Sequence, residues 1–216
     1  MHHKRLAVGL KGKKNQRGIA DLFSKSKEDS LVNMMELDLI IGSGGVLSHA
    51  PDRKSTALML IDAYEPEGVT RLAVDSIFMM PHLGVFSNVH PEAAVEIFMK
   101  DCVVPLGHVI SPVGRFKKGE EILRIESDKF EQKIIKGGEL VRFNLAAEEE
   151  AELSLTPLKN SVDIGAGPGK ASEQTLSGGD AGIVIDARGR PITFPQSELE
   201  ATELQQVWQK SMGLTI

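Results

Sequence analysis

The chain has 216 residues, 41% hydrophobic and 25% charged, with a net charge of −5; this suits a globular protein with a sizeable core and argues against a general nucleic-acid binder. A single cysteine, Cys102, excludes an internal disulfide and a multi-thiolate zinc site within one chain. No apolar run approaches the ~18 residues of a membrane span, and Met1-His2-His3-Lys4-Arg5 lacks the apolar stretch of a signal peptide, so the reading is a cytoplasmic protein with no membrane partner.

The first segment is basic: Lys4, Arg5, Lys11, Lys13, Lys14 and Arg17 all precede the first acidic residue, Asp21. A solvated face or frayed terminus accounts for such a block, and a phosphate or nucleic-acid contact is the alternative. A short helix is expected over 28–36, then a strand over 37–41. Gly42, Gly44 and Gly45 follow the apolar strand end Leu39-Ile40-Ile41. Residues 53–63 carry Ala57, Leu58, Leu60 and Ile61 at helical spacing, with Asp52 as N-cap. Leu72-Ala73-Val74 predicts a short strand, and Ile77-Phe78-Met79-Met80 a second buried run. Pro91 and Glu92 suit a helix start, with Ala93, Ala94, Ile97 and Phe98 as its stripe.

Up to about residue 105 the order is strand, helix, strand, helix, which means α/β. Beyond Pro105 short β-rich pieces alternate with glycines: 109–110, 122–125, 133–135, 139–143, 152–155 and 183–185. Apolar and polar residues alternate in several of them, the mark of half-buried antiparallel strands. A small barrel or sandwich is therefore expected over 106–195. Residues 197–211 predict a final amphipathic helix with Leu199, Leu204, Val207 and Trp208 as its apolar side. The expected division is 1–105, 106–195 and 196–216.

Glycine has no Cβ, so a strand followed by Gly42-Ser43-Gly44-Gly45 lets backbone N–H groups approach a phosphate or ribose oxygen. A tight strand-to-helix turn without a ligand is the alternative. Gly165-Ala166-Gly167-Pro168-Gly169-Lys170 fails as a P-loop, because Ile164 and Ala171 stand where glycine and a hydroxyl residue are needed. Lys129, in Ile125-Glu126-Ser127-Asp128-Lys129, sits as the modified lysine of a lipoyl-type hairpin would, or as an ordinary surface lysine. No two histidines have the i, i+4 spacing of a metalloprotease pair; His82 and His90, with Glu92 and Asp101, either meet in space or belong to a polar loop of satisfied histidines. Cys102 has no activating base and reads as a buried thiol. Arg188 and Arg190 on one turn can fork onto a carboxylate or phosphate, or be solvated. No catalytic residue and no metal ligand is assigned.

Taken in order, several segments resemble one family, the MutL/GlmL accessory proteins of methylaspartate (glutamate) mutase. They are Ile40-Ile41-Gly42-Ser43-Gly44-Gly45-Val46-Leu47-Ser48-His49-Ala50-Pro51, Ala73–Gly84, His90–Ala94, Asp163–Lys170 and Asp186–Pro191. The resemblance implies part of the second lobe of an actin-like ATPase, with ATP or ADP as the cofactor. Gly42, Ser43, Gly44 and Gly45 would face the adenosine. It also implies a reactivating, chaperone-like role for an adenosylcobalamin-dependent amino-acid mutase, the mutase subunits being the partner, with no cobalamin bound directly. The family's Asp-x-Gly-x-Thr phosphate turn, which holds Mg-nucleotide, does not occur in these residues. The chain therefore resembles the carboxy-terminal portion, with the N-terminal half of the same ATPase as a second partner. A non-catalytic interaction module with structural glycine turns is the alternative.

Overall fold

The computed structural model describes residues 32–215. The basic segment and the first part of the expected 28–36 helix lie outside them; the remainder is a single 3-10 turn, Met34–Glu36, capped by Asn33. The strand expected at 37–41 is β1, Leu39–Gly42. After the glycines comes one helical turn, α1, Gly45–Ser48. The 53–63 helix is α2, Arg53–Tyr64, and the Asp52 carboxylate accepts from the Lys54 N–H as its cap. Strand β2, Gly68–Asp75, pairs parallel with β1, so α2 is the crossover of a β-α-β unit.

Between β2 and β3, Val103–Ser111, lie α3, Met80–Phe86, α4, Pro91–Ile97, and a wide turn of π-helix, Phe98–Cys102. The expected buried run at 77–80 is corrected here: Ile77 and Phe78 are exposed in a turn, Phe78 with a left-handed φ of 57°. Of the stripe expected on α4, only Ala94 is buried.

The later strands are β4, Glu121–Ser127, β5, Lys133–Lys136, β6, Leu140–Phe143, β7, Glu150–Pro157, β8, Ser172–Ser177, and β9, Ile183–Asp186. They distribute between two sheets: a five-stranded mixed sheet, β1-β2-β3-β9-β6, and a four-stranded antiparallel sheet, β5-β4-β7-β8. No closed barrel forms, because β3, β9 and β6 extend the β1–β2 sheet while β5 and β8 keep open outer edges. Strand β8 was not foreseen; Ser-Glu-Gln-Thr-Leu-Ser buries only Leu176 and carries almost no apolar signal.

The chain stacks in three layers. Ile110, Ile183, Ile185 and Val141 face Ile125, Leu153 and Leu155 of the second sheet. On the other side, Leu72, Val74, Val109 and Val184 pack against Leu60 and Ile61 of α2 and against Trp208 and Met212. Trp208 belongs to α5, Glu198–Ser211, the final helix expected from the sequence. Its expected apolar side is half right: Trp208 is buried, whereas Leu199 and Val207 are exposed. One close approach requires glycine: Gly107 has φ +109°, and a Cβ there would lie 1.8 Å from the Gly182 carbonyl oxygen.

Candidate functional site

Parallel pairing sets Gly42 of β1 beside Val74 of β2, so the next residues, Ser43 and Asp75, meet at the carboxyl ends of both strands. Ligands of open α/β sheets bind outside such ends. The Ser43 hydroxyl donates to Asp75 Oδ2 at 3.0 Å. The Asp75 carboxylate also accepts the backbone N–H groups of Met79 at 3.0 Å and Met80 at 2.7 Å. The Ser48 hydroxyl donates to the Asp75 carbonyl at 2.9 Å. Asp75 is fully buried. Burial pushes its pKa up, but the Met80 and Met79 N–H groups and the Ser43 hydroxyl outweigh that, and its carboxyl sits below the ordinary range.

The three glycines of the turn differ in what requires them. A Cβ on Gly42 would meet Leu47 at 2.8 Å and Leu60 at 2.9 Å, so this glycine seats the turn on α2. Gly44 has φ 126° and needs glycine for its backbone. Gly45 has neither constraint: its φ is ordinary, and a Cβ there would have no heavy atom within 4 Å. The Leu47 and Ser48 N–H groups bond the Gly44 carbonyl, and the first N–H groups of a helix have no partner inside it. Gly45 and Val46 therefore open the turn outward.

The other candidates resolve differently. Arg188 and Arg190 fork onto a carboxylate of this chain: Asp186, fully buried, accepts from Arg188 Nε at 2.8 Å and from Arg190 Nη2 at 2.9 Å. Arg188 also reaches Asp62 at 2.7 Å and lies 4.8 Å over the Trp208 ring, while Arg190 reaches the Ser111 hydroxyl and the Pro66 carbonyl. Burial raises the Asp186 pKa, but the two guanidiniums bring it below the usual value. This cluster holds β9 to α2 and α5. Asp163 uses one oxygen to accept the Gly165 and Gly167 N–H groups, closing its own loop. Lys129 is exposed on the β4–β5 hairpin, its N–H on the Ser127 hydroxyl. Among the described residues no group of three or more His, Cys, Asp or Glu is placed to hold a metal, and no helix is long and apolar enough to cross a membrane. Cys102 is buried, and burial pushes its thiol pKa up.

Sequence reasoning placed the turn but did not single out Asp75. The available signal was an acidic residue closing the apolar run Leu72-Ala73-Val74.

Fold and site together define a layered α/β protein whose glycine turn, pinned by a buried carboxylate, opens at the end of a parallel strand pair. Residues 3–102 match the model of the MutL protein family. The matched segment contains β1, the turn, α2, β2, Asp75 and the helices up to Cys102. No curated protein and no solved structure matches the chain significantly.

Proposed function

We propose that this chain supplies the adenosine side of the nucleotide site of a MutL-family accessory ATPase, one that serves an adenosylcobalamin-dependent amino-acid mutase such as glutamate mutase. Gly42, Ser43, Gly44 and Gly45 face ATP or ADP. The phosphates and Mg²⁺ are held by an amino-terminal half carrying the Asp-x-Gly-x-Thr turn, which these residues lack. The role that follows is reactivation of the mutase. The match over residues 3–102 supports the family side of this reading, and the strand–glycine-turn–helix at 39–64 supports the lobe.

The observation that carries the site is Gly45, a glycine that neither backbone conformation nor packing requires, at a turn whose free face is open. A ligand approaching the backbone gives such a position its reason. The residues present divide the work simply. Ser43 is held by Asp75, so its hydroxyl proton is already committed and its oxygen is left as an acceptor toward the ligand. Asp75 fixes the turn against the start of α3.

The test is calorimetric titration of ADP, with the amino-terminal half supplied in trans. Wild type should bind and Gly45→Val should lose at least tenfold in affinity with an unchanged melting temperature. Equal binding by both proteins, or none by either, would remove the turn from the site.

A further inference from the structure

The segment from Ser76 to Cys102 is tethered at its neck and nearly coreless beyond it. Ser76 donates through both its N–H and its hydroxyl to the Cys102 carbonyl, at 2.8 and 2.9 Å. Past that clasp only Leu83 and Ala94 are buried before Cys102 itself. α3 and α4 have seven residues each. Helices under ~12 residues are marginal without packing, and the described residues bury little of this pair.

The apolar side chains for that burial are present and turned outward. Val85 is 73% exposed, Val89 71%, Met99 62% and Val95 60%, with Ile77 and Phe78 beside the neck. Phe78 keeps its ring at the surface on a left-handed backbone, a conformation that costs a bulky residue about 1 kcal/mol or more. Polar residues flank the patch without dominating it: Glu92, Glu96 and Lys100 recur at four-residue spacing along α4 and the wide turn after it.

We infer that the outer face of this helical hairpin is a two-fold interface with a second copy of the chain, two hairpins meeting as a four-helix layer. Area favours a second copy. Counting ~170–200 Å² for a whole large side chain, the six exposed apolar residues offer roughly 620–730 Å² per copy, approaching the ~800 Å² per partner of a stable complex. Charge allows it as well. An isologous crossing sets Lys100 of one copy against Glu92 or Glu96 of the other, so one surface complements itself. The clasp at Ser76 and Cys102 and the Asp75 bonds to Met79 and Met80 fix how the hairpin is presented. The inference does not rest on nucleotide binding.

Sedimentation velocity over a wide concentration range tests it with no ligand present. The wild-type chain should be a dimer. Val85→Lys and, on the other helix, Met99→Lys should each weaken dimerisation at least tenfold. Leu199→Lys, equally exposed on α5, should leave it unchanged. Both hairpin residues are at the surface, so circular dichroism and the melting transition of the monomeric variants should report a folded chain. A wild-type monomer at every concentration overturns the inference, as does a dimer indifferent to both hairpin substitutions. So does a monomer that uses the hairpin only to capture a MutL-family amino-terminal half.

Discussion

Asp75 and Asp186 are both fully buried carboxylates at the ends of strands in the same sheet, yet they are satisfied in opposite ways. Asp186 is neutralised by two guanidiniums, themselves held by Asp62, Ser111 and Pro66. Among the described residues no cation pairs with Asp75. Two backbone N–H groups and one hydroxyl carry its charge. A charge paired with fixed cations is spent on holding elements together. A charge held by dipoles at the rim of an open turn keeps its field available there. The difference separates a structural knot from a candidate site, although the sequence presents both as acidic residues closing apolar runs.

Substitutions can sharpen this contrast. The largest effect is expected at the knot. Arg188→Ala leaves Asp186 short of its main partner and should cost about 3–5 kcal/mol in urea denaturation. At the base of the turn, Gly42→Ala pushes a methyl into Leu47 and Leu60 and should cost about 1–3 kcal/mol by the same measurement. Asp75→Asn keeps the shape and removes the charge, for about 1–2 kcal/mol. The smallest effect belongs to Gly45→Val, within about 0.5 kcal/mol, while nucleotide affinity falls as described above. If Arg188→Ala proved as mild as Gly45→Val, the contrast between knot and site would collapse.

Acid separates the two carboxylates further. Both have folded-state pKa values below the ordinary carboxylate value. A depressed pKa adds stability that is present above the unfolded value, about 4, and is lost as pH falls through the folded one. Wild type should therefore lose stability as pH drops below about 4. In Asp75→Asn that acid limb should flatten, because the Asn side chain does not titrate.

Much of the fold was legible because short-range signals carry it. Asp52 before an apolar 3.6-residue period foretold α2, and alternating residues foretold β4 and β7. Strand β8 escaped because its burial comes from a neighbour and not from its own composition. Ile77 and Phe78 misled for the converse reason: they are apolar without being buried. At the site, Gly42 to Gly45 were visible as a cluster, but nothing local told the packing glycine, Gly42, from the open one, Gly45.

The sequence by itself determined the strand, the glycine turn and the helix after it, because backbone freedom and helical period are properties of neighbouring residues. It also carried the family pattern across residues 3–102. Only the tertiary structure decided which carboxylate meets Ser43, since that depends on the parallel register of two strands separated by a crossover helix. It also decided that the 76–102 hairpin faces outward. An apolar side chain states what it would gain by burial, and the packing of distant elements determines whether a partner within the chain is there to provide it.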